Sequence, residues 1–123
     1  MDESKLKISD PVYDRKSKFI GVCATVSSKK EIDEVLTFIK EKKEFKKPTH
    51  IISAYRFMKE DKLVEKKNDD GETGAGFKLL ELLRRKGKEN ILVVVLRWYG
   101  GVKIGSDRFR HIVAVAEAAL PGE

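Results

Sequence analysis

The run Ile91-Leu92-Val93-Val94-Val95-Leu96 limits what this chain can fold into more than any other stretch. Its residues are apolar without alternation and mostly β-branched, the pattern of a strand buried on both faces. Arg97-Trp98-Tyr99 follows, and then Gly100-Gly101-Val102-Lys103-Ile104-Gly105. A helix is expected to open at Ser106 as its N-cap, with Asp107 at the positive end of the helix dipole. Phe109, Ile112, Val113, Ala116, Ala119 and Leu120 recur at helical spacing and give that helix one apolar face. The three glycines permit a sharp turn and leave backbone N–H groups uncovered near a helix N-terminus, a geometry that favours anions. Arg97, Lys103, Arg108, Arg110 and His111 stand around it against one acid, Asp107. Neither the P-loop pattern nor the dinucleotide fingerprint is present. The stretch reads either as a recognition surface or as a tight crossover with solvated arginines.

The rest of the composition narrows the function classes. With 123 residues the chain is expected to be one domain, and 37% charged residues describe a busy surface around a real core. Its apolar runs are too short to span a bilayer, and Met1-Asp2-Glu3-Ser4-Lys5 has no signal-peptide pattern. A single cysteine, Cys23, rules out an internal disulfide and fits a reducing compartment, so a cytoplasmic location is expected. Two histidines and one cysteine make a structural zinc site a poor fit. No metal and no cofactor are expected. The formal charge of +6 permits nucleic acid or an acidic protein as partner and requires neither.

In chain order, Leu6 to Lys18 offers short extended segments broken by Pro11, with residues 1–10 open to being a flexible lead-in. Phe19 to Val26 is a strand in which Cys23 reads as a small buried thiol rather than a nucleophile. Ser28 and Glu31 spell a capping box, and Ile32, Val35, Leu36 and Ile39 mark the buried face of a helix that must stop before Pro48. His50 to Phe57 reads as a strand with Ile51, Ser53, Tyr55 and Phe57 on one side and His50, Ile52, Ala54 and Arg56 on the other. After a turn at Glu60-Asp61, Lys62 to Lys67 is a second, more exposed strand. Asn68-Asp69-Asp70-Gly71-Glu72-Thr73-Gly74-Ala75-Gly76 is a second glycine-rich loop, followed by a helix packed through Leu79, Leu80 and Leu83 and closed at Gly87. Asp69, Asp70 and Glu72 have four readings: ligands of a hard cation, dipole complements of that helix, an acid–base pair with no substrate in view, or partners of Arg97 or Arg108 that fix the two glycine loops together. The order of elements gives a two-layer α/β sandwich with helices mainly on one face.

With both loops placed, the sequence resembles the Impact family, also called UPF0029, which includes bacterial YigZ-type relatives. The residues that carry the resemblance are Asp69-Asp70-Gly71-Glu72 with Ala75-Gly76 and Leu79-Leu80, Asn90-Ile91 with Val93-Val94-Val95, and Arg97-Trp98-Tyr99-Gly100-Gly101 with Gly105. Asp107-Arg108-Phe109 with His111-Ile112 continue it, and Asp14-Arg15-Lys16-Ser17-Lys18-Phe19, His50 and Ala54-Tyr55-Arg56 extend it upstream. The resemblance implies the ribosomal-protein-S5 domain-2-like fold, with a mixed sheet and a left-handed crossover. It also implies translational control in the stress response, by restraint of the general amino-acid-control kinase through competition for its activator, with actin as a further partner. Full-length eukaryotic members carry an RWD domain for which this chain has no room, so a fragment or a minimal member is expected.

The candidate binding surface is His50, Arg56, Asp70, Glu72, Arg97, Gly100, Gly101, Lys103, Arg108 and His111, bordered by Trp98 and Tyr99. Three functions are weighed. The first is a non-enzymatic regulator that binds a translation-control protein. The second is an RNA- or DNA-binding module on the basic surface. The third is an enzyme acting on a phosphorylated or anionic small molecule, although no nucleophile–base constellation is recognisable and no catalytic residue is assigned.

Overall fold

The computed structural model of the protein describes residues 1–122. Six strands, β1 (Leu6–Ile8), β2 (Val12–Asp14), β3 (Ser17–Thr25), β4 (His50–Lys59), β5 (Lys62–Asn68) and β6 (Ile91–Trp98), form one sheet. Three helices accompany them: α1 (Lys29–Glu41), α2 (Ala75–Arg85) and α3 (Asp107–Ala119). The apolar run of β6 takes the centre, between β3 and β4, and Ile91 to Arg97 are all buried. β5 lies at one edge, and β1 and β2 share the other side of β3.

The sheet is not the mixed one expected. Every pairing is antiparallel, because β6 inserts between β3 and β4 and runs against both. Those two strands are parallel to each other without touching, and α1 carries the chain from one to the other. The helices also differ in one respect from a simple two-layer sandwich. α2 and α3 cover one face, packing Leu79, Leu83, Ile112 and Ala116 on Cys23, Ile52, Val93 and Val95. α1 covers the opposite face, where Ile32, Val35 and Ile39 meet Val22, Leu92, Val94 and Leu96. The strict period of two along β6 divides its side chains between these cores. Each fully buried Leu or Val contributes about 1.5–3 kcal/mol.

Helix ends follow local chemistry. The Ser28 side chain accepts the Glu31 N–H, and the Glu31 carboxylate reaches back to Ser27, a capping arrangement one residue longer than the box read from the sequence. α2 closes with Gly87 in the left-handed region: the Lys88 N–H reaches Leu83 O and the Gly87 N–H reaches Arg84 O. Ser106 precedes α3, but its hydroxyl caps nothing. Cys23 is buried among apolar neighbours, and loss of hydration pushes its thiol up to about 12, so it stays protonated at neutral pH. Among the described residues, no helix is long and apolar enough to cross a membrane.

Candidate functional site

At the end of the sheet where β4 begins and β6 ends, the two glycine-rich loops meet beside the first turn of α3. Between them lies a hollow of about 350 Å³, lined by Thr49, His50, Glu72, Arg97, Tyr99, Lys103, Ile104, Gly105 and Arg108. Strand pairing sets His50 opposite Arg97. A larger, shallow depression of about 760 Å³ lies over the outer face of α1, beside Met1, Lys30 and Asp33, and holds none of the residues picked from the sequence.

Glu72 organises the hollow. One carboxylate oxygen accepts from Arg97 Nη1 and the other from Arg108 Nε at 2.7 Å, and Glu72 and Arg97 are both buried. Of the readings left open by the sequence, the structure realises the bridge: an acid from the 68–76 loop holds an arginine from β6 and another from α3. The arginines bond Glu72, not Asp70. Arg97 is also packed between two rings, its guanidinium carbon 5.3 Å from the centre of Phe19 and 5.6 Å from that of Tyr99. Its Nη2 lies 3.4 Å from Ser17 Oγ, and its buried Nε meets no acceptor.

The other two acids of the loop point elsewhere. Asp70 accepts the Ile51 N–H at 2.7 Å, and its carbonyl lies 2.8 Å from His50 Nδ1. A carbonyl can only accept, so Nδ1 carries a proton, and Nε2 faces Glu72 at 3.8 Å, beyond hydrogen-bond reach. Asp69 accepts from the Gly74 and Gly76 N–H groups at 3.0 and 2.7 Å. It caps α2 from a distance, since Gly74 at the N-cap has no side chain to do so. The three carboxylates therefore face different donors and form no joint cation site. Among the described residues no cluster of His, Cys, Asp and Glu fit for a metal ion occurs.

The Gly74 and Gly76 amides hold the Asp69 carboxyl below its ordinary value. A carboxylate depressed by folding adds stability above its unfolded pKa and loses it as pH falls through the folded one. Asp69→Ala is accordingly expected to cost about 1–2 kcal/mol at pH 7 in a urea unfolding experiment. The gap to wild type should close as pH drops below about 4.

The remaining sequence candidates divide. Lys103 and Arg108 join the hollow. Gly100 lies beside it for a steric reason: a Cβ there would sit 2.2 Å from the Lys16 backbone, and its N–H already bonds Ser17 Oγ at 3.2 Å. Gly101 turns the chain at φ +88° with open space around it. His111 faces away from the hollow's lining, bonding Asp14 at 2.7 Å and leaning on Phe19. There Arg15 bridges Asp14 and Asp107, tying the β2–β3 turn to the start of α3. Arg56 sits six residues along β4 from His50, about 20 Å away, where it bonds Glu65 and the Lys88 carbonyl and braces β5 against the end of α2. Trp98, the last residue of β6, and Tyr99, just beyond it, separate. Tyr99 borders the hollow, whereas Trp98 turns to the α1 face, donates its indole N–H to Lys46 O at 2.8 Å and lies under Lys18. Sequence reasoning passed over Thr49, whose hydroxyl accepts the Tyr99 N–H, and the buried Ser17. Ser17 lies within the Asp14–Phe19 run that carries the family resemblance, and no spacing or motif marks Thr49.

The Impact N-terminal domain profile matches residues 15–120, nearly the whole of the described chain. The chain belongs to the Impact family. It is 42% identical over 116 residues to the Caenorhabditis elegans Protein IMPACT homolog, covering 91% of this chain and 45% of that protein. Human Protein IMPACT is 44% identical over 104 residues, covering 83% of this chain and 32% of its own length. This Impact domain therefore spans less than half the length of these relatives. Among solved structures, the two-domain translational regulator Yih1 superposes with a TM-score of 0.64 at 37% identity, over 94% of this chain and 45% of that one. A hypothetical protein superposes with a TM-score of 0.78 at 21% identity, over 94% of this chain and 60% of that one, a likeness of fold alone.

Proposed function

We propose that this Impact domain is a non-enzymatic binding module in translational control, and that the hollow between its glycine loops is part of the surface that meets a protein partner. The observation that carries the reading is the likeness to the translational regulator Yih1 across nearly the whole chain. The chemistry of the hollow agrees with recognition rather than turnover. Its carboxylate is held between two arginines. The hydrogen bonds of the two histidines go to the Asp70 carbonyl and to Asp14, not to a hydroxyl or thiol that they could activate. In the finer form of the proposal, the partner is the activator of the general amino-acid-control kinase, the setting is the cytoplasm, and actin is a second partner.

Affinity capture from a eukaryotic extract, with and without nuclease, tests the reading. Nuclease-resistant recovery of translation-control proteins is the expected result. Recovery that nuclease abolishes would replace it with a nucleic-acid module.

A further inference from the structure

The hollow holds three cationic side chains, Arg97, Lys103 and Arg108, against the single carboxylate of Glu72. Glu72 engages two of them and leaves the hollow in positive excess. Donor capacity remains as well. Arg97 Nε has no acceptor, Arg108 uses Nε on Glu72 and Nη1 on the Gly105 carbonyl at 2.6 Å, and Lys103 forms no ion pair among the described residues. The walls and rim are partly apolar. Ile104 is buried against the hollow, and Tyr99 and Val102 on the same loop are 43% and 42% exposed. This combination suits an anion borne on an apolar stem. Attraction to the cations and repulsion from Glu72 both scale with the ligand's charge, so charge alone does not choose between a phosphate and a carboxylate. The donors left over, the Lys103 ammonium and Nη2 of Arg108, match the two oxygens of a carboxylate.

We propose that the hollow seats the side-chain carboxylate of a glutamate or aspartate on a protein partner, with Lys103 and Arg108 as its donors and Tyr99 and Val102 packing against the aliphatic residues that flank it. The proposal rests on the reading of this domain as a protein-binding module and specifies the chemistry that module selects. Lys103 is the residue to change, because its ammonium forms no hydrogen bond or ion pair among the described residues, whereas Arg97 and Arg108 hold Glu72.

The probe is the blocked tripeptide acetyl-leucyl-glutamyl-leucine amide, titrated into the isotope-labelled chain at low salt beside its glutamine counterpart. Saturable shifts are expected in the backbone amides of residues 99–108, with the glutamine peptide weaker by about tenfold, the worth of a hydrogen bond to a charged group. K103E should lose the preference for the glutamyl peptide, and K30E, the same charge change on the outer face of α1, should keep it. Equal binding of the two peptides, or no response of residues 99–108 at about 10 mM peptide, overturns the proposal. The capture experiment separates this failure from that of the broader reading. If wild type and K103E recover the same translation-control proteins equally, the domain binds protein and the acidic-residue pocket is wrong. If wild type recovers none, the broader reading falls first.

Discussion

Gly21→Ala is expected to destabilise this domain by about 3 kcal/mol, at the upper end of what overpacking costs. Gly21 sits in the middle of β3 where α3 crosses it, and a Cβ built there lies 2.1 Å from the Val115 carbonyl oxygen and 2.5 Å from its carbon. Both are helix backbone atoms, so no rotamer change relieves the overlap. Either α3 lifts off the sheet or β3 bends. Lifting α3 would open the core around Ile112, Val115 and Ala116, which are all buried there. Bending β3 would strain the pair of hydrogen bonds that Gly21 exchanges with Ser9, both 2.8 Å, and with them the edge formed by β1. Gly101→Ala provides the contrast. Its Cβ meets nothing within 4 Å, and only the left-handed φ of +88° resists the side chain, so a cost of about 1 kcal/mol is expected. Urea unfolding of the two variants should separate them clearly, and in a thermal scan the Gly21 variant should melt about 10 °C below wild type. Equal losses would mean that α3 can ride over the extra methyl group, and the close strand–helix approach would not be a constraint on the fold.

Gly21 also marks where sequence reading stops. Nothing in Phe19-Ile20-Gly21-Val22-Cys23 distinguishes a glycine required by a crossing helix from a tolerated one, because the helix that requires it comes about ninety residues later. Features set by local chemistry were legible. The apolar run of β6 announced burial on both faces, Ser28 announced the start of α1, and Gly87 announced the end of α2. The antiparallel character of the whole sheet was not legible, since it depends on β6 threading between two earlier strands, and no periodicity encodes that. The site divides the same way. The two glycine loops, His50, Glu72, Arg97, Lys103 and Arg108 stood out as charged residues beside turn-forming sequence, and they converge. Arg56 and His111 also stood out, but their partners are Glu65 and Asp14, whose positions only the folded chain supplies. Trp98 looked like a stacking surface until strand alternation assigned it to the α1 face, and that assignment needed the strand to continue through residue 98.

Glu72→Gln is the second substitution expected to act strongly, at a cost of about 3 kcal/mol. The side chains of Glu72 and Arg97 are 7% and 5% exposed. Removing the negative charge while keeping the shape therefore leaves a buried guanidinium without its counter-ion and Arg108 without its inner partner. Burying the intact pair already costs desolvation, so the pair need not add net stability over an apolar replacement, and the damage comes from leaving one member alone. That distinction makes the claim testable by a double variant. Arg97→Met alone should also destabilise, because Glu72 then keeps only the more exposed Arg108, at 25%. Combining Glu72→Gln with Arg97→Met should cost less than the sum of the two single losses, because the second change removes the charge that the first left unpaired. Additive losses in chemical denaturation would show that the two side chains are energetically independent despite their contact. The bridge would then not be what holds the two glycine loops together. Sub-additive losses would establish Glu72 as the pin that sets the spacing of Arg97 and Arg108, and through it the shape of the surface offered to a partner.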